Sequence, residues 1–153
     1  MIPKSSITQL YYITHIDNIP SILQRGILSH ESIVTEGISF TPIYDNEIVI
    51  NRSSINAPNG KDLWSFANLY FQPRNPMLYR VIVEKGFKNI AVLAIQNTIL
   101  DRDDIFITTG NAAHSSSEIR PISDFKKTFS EIRGYLRMEY WKNFDGSKRK
   151  IMA

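Results

Sequence analysis

The stretch "LYFQPRNPMLY", Leu69 to Tyr79, decides how the chain is to be read. Pro73 and Pro76 fix their own φ angles and push Gln72 and Asn75, the residues before them, towards extended backbone. Aromatic residues stand on both sides. On its N-terminal side "ANLYF" (67–71) is a strand candidate, and on its C-terminal side "NPMLYRVIVEKG" (75–86) reads as a turn followed by a strand rich in branched residues. Two uses of such a block are open. One is a rigid turn between two core strands with Arg74 at the surface. The other is a preformed wall that presents Tyr70, Phe71 and Tyr79 to a flat ligand such as a nicotinamide or a nucleobase.

Upstream, Leu10 to Thr14 is an aromatic and branched run that suits a strand. It is followed by a short helix, capped by Asp17 or Asn18, with Pro20 in its first turn and Gly26 at its close. Residues 35–68 are crowded with Gly, Pro, Asn and Asp and contain one good apolar run, "EIVINR" (47–52); they predict a long loop region with one short helix or strand. Downstream, "NIAVLAIQNTIL" (89–100) favours a buried strand with a helix left open, and "DDIFITTGNAAH" (103–114) a further strand ending in a Gly-Asn turn. From Pro121 the pattern turns helical, with Phe125, Phe129, Ile132 and Leu136 at spacings of three and four and Gly134 as a weak point. The elements alternate irregularly, without repeats or a linker. That order predicts an α+β fold, not a doubly wound parallel sheet.

The chain has 153 residues, 42% of them hydrophobic and 11% aromatic, which fits one domain with its own core. With no cysteine there is neither a disulfide nor a thiolate zinc site. The three histidines, His15, His30 and His114, lack ligand spacing, so no metal site is expected. The start "MIPKSSITQLYYITH" has no apolar leader core, and no run approaches the roughly 18 apolar residues of a membrane span, so a cytoplasmic protein without a membrane partner is expected. A net charge of +3 permits an anionic partner without requiring one. Arg52 can clamp a phosphate through its planar fork or simply be a solvated loop arginine. His15, after an apolar run, suits a core or capping role as well as a catalytic one. Lys148, Arg149 and Lys150 form either a solvated basic face or a phosphate-backbone contact. No nucleophile elbow, Walker loop, GxGxxG or HExxH occurs.

Taken in order, "YYITHIDNIPSILQRGIL" (11–28), "NRSSINAPNGKDLWSFANLYFQPRNPMLY" (51–79), "FITTGNAAH" (106–114) and "RMEYWKNFDGSKRKIMA" (137–153) resemble one family, the DarT type of DNA ADP-ribosyltransferase toxin. The resemblance implies an ADP-ribosyltransferase fold: a split antiparallel β core with flanking short helices and NAD in its cleft. It implies a single domain over residues 1–153 that transfers ADP-ribose from NAD to a base of single-stranded DNA, thymidine favoured. Arg52 matches the family arginine that lies against NAD and assists at the target base. His15 and the neighbouring segment with Asn18 match the grip on nicotinamide and its ribose. Tyr70, Phe71 and Met77 match the wall of that pocket, while Tyr12 stands where many members have histidine. Arg74, Tyr79, Lys148, Arg149 and Lys150 fall to the nucleic acid side.

Such chemistry needs a carboxylate for the oxocarbenium-like ribosyl centre, cations for the pyrophosphate, and an unstacked base. In the family the catalytic glutamate comes directly after the segment that here ends at Ala153, so the domain is expected to be incomplete there and the chain as given inactive; Glu131 and Glu139 match other parts of the pattern. A macrodomain antitoxin is the expected partner. Transfer to guanine or to RNA, and a catalytically dead module for single-stranded nucleic acid, stay open as alternatives.

Overall fold

Strand β1 (Gln9–His15) organises the molecule, a computed structural model that describes residues 6–138 apart from the side chain of Ile48. It pairs antiparallel with β2 (Ile90–Gln96) along its whole length, from Gln9 opposite Gln96 to His15 opposite Ile90. Both runs are rich in branched and aromatic residues, which fit a pleated surface. Because side chains alternate across a strand, Leu10 and Ile13 enter different cores. Leu10 joins Ile7, Leu100, Ile107 and Phe125. Ile13 joins Ile43 and Val81. A second small sheet pairs β3 (Phe106–Thr108) antiparallel with β4 (Ile119–Pro121). Two separate antiparallel sheets among short helices agree with the split β core and the α+β class.

The expected strand over "ANLYF" is corrected to a single residue pair. Tyr11 and Tyr70 exchange both backbone hydrogen bonds at 2.8 Å each, and no ladder extends beyond them. Pro73 has no N–H to donate and constrains Gln72, so the pairing stops where the turn begins.

The expected strand after the turn is likewise corrected: Pro76–Lys85 is a helix, α4. The run Val81-Ile82-Val83 favours a strand locally, but the boundary chemistry wins. Asn75 is only 6% exposed; its Oδ1 accepts from the Leu78 N–H at 2.9 Å and its Nδ2 donates to the Gln72 carbonyl at 2.9 Å. Pro76 then occupies the first turn, where its missing N–H costs nothing, and Gly86 ends the helix at φ +81°. Val81, 1% exposed, is driven into the core around Ile13, with Met77 and Leu78 packed beside it.

Helix α5 (Phe125–Leu136) follows its 3.6-residue period: Phe125, Thr128 and Ile132 are buried on one face. Phe125 and Phe129 stack with centroids 5.5 Å apart, and Phe71 meets both edge-on. Helix α1 (Ile19–Arg25) is where the sequence places it, but neither Asp17 nor Asn18 caps it through a side chain. The turn before it, Ile16–Asn18, is capped instead by His15, whose Nδ1 accepts from the Asp17 N–H at 3.2 Å.

The long loop region carries more order than its composition implies. After α2 (His30–Thr35), the apolar run becomes helix α3 (Asn46–Ser53), and Trp64 Nε1 donates to the Val49 carbonyl at 2.6 Å to fasten it. Between α3 and Trp64 a tight turn at Gly60, φ +81°, lets Ala57 donate to the Lys61 carbonyl at 2.8 Å. Arg52 sits in the last turn of α3.

Candidate functional site

Three separate parts of the chain meet around Arg52. The stretch after α2 supplies Tyr44, the segment bridged to β1 supplies Tyr70 and, two residues earlier, Asn68, and strand β1 brings Tyr12 within electrostatic reach of Tyr44 and Tyr70. The phenol oxygens of Tyr44 and Tyr70 are 3.4 Å apart. Arg52 Nη2 donates to Asn68 Oδ1 at 2.7 Å. Among the described residues no carboxylate pairs with this half-buried guanidinium.

Burial governs the electrostatics. It lowers the affinity of Arg52 for its proton, an effect opposed by Tyr70 and Tyr44. Burial, and then the neighbouring Tyr70, pushes the Tyr44 phenol far above its ordinary range and raises Tyr12 in the same way. Tyr70 is raised by burial, in part offset by its bond to Tyr44 and by the charge of Arg52. All three phenols therefore stay neutral at physiological pH, and those of Tyr44 and Tyr70 present hydroxyls, not phenolates, to the cation.

Asn18 closes this neighbourhood from the side of α1. Its Oδ1 accepts from the Thr41 N–H and its Nδ2 donates to the Thr41 carbonyl, both at 2.8 Å, with a further bond to Thr14 Oγ1 at 3.2 Å. A single side chain thus ties the end of β1 to the irregular stretch leading to Tyr44. His15, the last residue of β1, lies alongside with Nδ1 3.4 Å from an Asp17 carboxylate oxygen.

The expected aromatic wall is not one surface. Tyr70 and Met77 pack with the Ile13–Val81 core, next to Tyr44. Phe71, the neighbour of Tyr70, turns the other way and packs against Phe125 and Phe129. Tyr79 is 60% exposed on the outer side of α4, in line with exposed Val83 and Phe87. Arg74 lies at the exposed turn before α4 and lines a cavity of about 70 Å³ with Tyr70, Thr108 and Leu136. Lys148, Arg149 and Lys150 lie outside the described residues.

Sequence reasoning passed over Tyr44 and Asn68. Asn68 had a signal: it stands two residues before Tyr70 on an extended segment, hence on the same side. Tyr44 had none, because nothing local says where an irregular loop returns. A larger cavity, about 350 Å³, opens between the Gly60 turn and the loop joining β3 to β4, lined by Asn56, Ala57, His114 and Ser117 among others. No group of three or more metal-ligating side chains occurs among the described residues, and no helix among them is long and apolar enough to cross a membrane.

The geometry has parallels among known proteins. A DNA ADP-ribosyl transferase-DNA ADP-ribosyl glycohydrolase fusion protein from Thermosipho africanus is 54% identical over 147 residues, which are 95% of this chain and 37% of the relative. The chain thus spans well under half of that protein's length. The structure of Thermosipho africanus DarTG in complex with ADP-ribose superposes with a TM-score of 0.85 at 53% identity, covering 95% of this chain and 39% of the other. Thermus sp. 2.9 DarT in complex with ADP-ribosylated ssDNA shares the fold, with a TM-score of 0.80 at 22% identity over 96% of this chain and 73% of its own. The family described as "DarT: ssDNA thymidine ADP-ribosyltransferase" matches residues 11–153, from the second residue before Ile13 on the central strand through Arg52, Asn68 and Tyr70 to Ala153. With the family model matching residues 11–153 and the fold superposing on a relative more than half identical to it, the chain belongs to the DarT family of ssDNA thymidine ADP-ribosyltransferases.

Proposed function

We propose that residues 1–153 belong to a cytoplasmic enzyme that transfers ADP-ribose from NAD to a thymine base of single-stranded DNA, acting as a toxin. The observation that carries the reading is Arg52: a half-buried guanidinium beside the neutral Tyr44 and Tyr70, with an amide as its hydrogen-bonding partner and, among the described residues, no carboxylate to cancel it. Burying a cation without a counter-ion is costly, so the arrangement is matched to an anion that arrives from outside. The pyrophosphate of NAD is such an anion. What NAD supplies when bound is an activated ribosyl group whose nicotinamide can depart.

In this reading Arg52 binds the co-substrate and assists at the target base. His15, Asn18 and Tyr12 hold the nicotinamide end, and Tyr70 with Met77 forms the wall beside it. Phe71 supports that wall from the α5 core. Exposed Arg74 and Tyr79, with Lys148, Arg149 and Lys150, engage the nucleic acid through phosphate contacts and base stacking. The name of the Thermosipho relative joins a transferase to a DNA ADP-ribosyl glycohydrolase. A glycohydrolase of macrodomain type that reverses the modification is accordingly the proposed partner here.

The test is to incubate the intact protein carrying this chain with NAD and single-stranded oligonucleotides of one base each, and to read mass. Addition of ADP-ribose to the thymine oligonucleotide alone is expected. Modification of guanine or of RNA only would replace the substrate, and DNA binding with no uptake of NAD would reduce the protein to a binding module.

A further inference from the structure

Asn68 raises a question the reaction alone does not answer. A guanidinium drawn partly out of water is ordinarily matched by a carboxylate, and an aspartate would fit the same space as this asparagine. Yet the group that receives the Arg52 Nη2 hydrogen bond, at 2.7 Å, is the neutral amide oxygen of Asn68. Among the described residues, the next groups in electrostatic reach are the hydroxyls of Tyr70 and Tyr44, which are also neutral. The amide is held in place by the sheet, because Tyr70, two residues on, is clamped to Tyr11 by two backbone bonds of 2.8 Å.

We infer that Asn68 is a positioning residue: its amide oxygen fixes the direction of the Arg52 guanidinium while leaving the positive charge uncancelled for an anionic ligand. An aspartate here would hold the fork more tightly through a charge-assisted bond. It would also spend the charge that the ligand needs. A residue kept only for structure gains from the change to aspartate, whereas a residue kept for positioning loses by it. The inference rests on the reading of Arg52 as a group facing the anionic part of NAD.

NAD is titrated calorimetrically into the intact protein and into its Asn68→Asp, Asn68→Ala and Arg52→Ala variants, with a thermal unfolding curve for each. Asn68→Asp is expected to melt at or above the parent temperature while its affinity for NAD falls by about tenfold or more, close to Arg52→Ala. Asn68→Ala keeps the charge and loses only the aim, so its affinity falls less. An Asn68→Asp variant that binds NAD as tightly as the parent overturns the inference and leaves the NAD reading standing. Should Asn68→Asp melt early, unchanged binding in Asn68→Ala overturns it equally. A parent protein that takes up no NAD overturns the NAD reading and this inference with it.

Discussion

Asn18 shows how much one polar side chain can organise. Its amide satisfies both the N–H and the carbonyl of Thr41 and reaches Thr14 as well, so it joins the end of β1 to a stretch with no regular structure of its own. Replacing it by alanine leaves two backbone groups of Thr41 without their partner, a loss on the order of 1–3 kcal/mol. Aspartate is no remedy. It keeps an acceptor for the Thr41 N–H but sets a carboxylate oxygen against the Thr41 carbonyl and removes the donor to Thr14. Urea unfolding is expected to place Asn18→Ala and Asn18→Asp together, both below the parent. An Asn18→Asp midpoint at the parent value would mean that the donor side of the amide contributes nothing.

Helix α4 is decided at its edge, not along its length. Asn75 caps it through the Leu78 N–H and also holds the Gln72 carbonyl of the turn before it. Asn75→Ala therefore loses both functions and is expected to cost about 2 kcal/mol. Asn75→Ser or Asn75→Asp retains the cap and is expected to recover about half, as read by the shift in the denaturant midpoint. The same helix marks the limit of what local sequence can say. Val81, Ile82 and Val83 prefer a strand, and only the preceding Asn-Pro pair and the burial of Val81 against Ile13 reverse that preference. Elements whose period and boundaries agreed, β1, α1, β2 and α5, were legible; those decided by a partner distant in sequence were not. The site divides in the same way. Arg52 was legible by residue type and Tyr70 by its place in the block from Leu69 to Tyr79, whereas Asn18 and Met77 are singled out only by the family resemblance. Tyr44 was not legible, since its position beside Tyr70 depends on the Asn18–Thr41 tie. The wall of Tyr70, Phe71 and Tyr79 was over-read, because adjacent residues on an extended segment face opposite ways.

At the scale of the whole molecule the site and the fold are one junction. Tyr12, Tyr44 and Tyr70 come from three regions of the chain, and β1 lies between the Phe125 core and the Val81 core. Ionising any of the phenols in place would put a phenolate where water is scarce, which links folding to pH. Each has a proton affinity raised, chiefly by burial, above the ordinary pKa of 10.0, while in the unfolded chain it titrates at that ordinary value. The sign follows directly. Where the folded pKa is the higher one, the associated stabilisation is complete below the unfolded value and is lost as pH rises past 10.0, because only the unfolded chain then releases the proton. The parent protein is expected to keep a constant unfolding midpoint through neutral pH and to lose stability steeply above pH 10.0. Lysines also lose their charge in that range, so the comparison that isolates the phenols is with Tyr44→Phe. That variant keeps the ring in the core and removes a strongly raised hydroxyl, and its alkaline decline is expected to be visibly shallower than the parent's. Thermal unfolding of both proteins between neutral pH and pH 11, roughly one pH unit past the unfolded titration, reads the difference. Parallel curves would show that Tyr44 does not resist ionisation in the folded state.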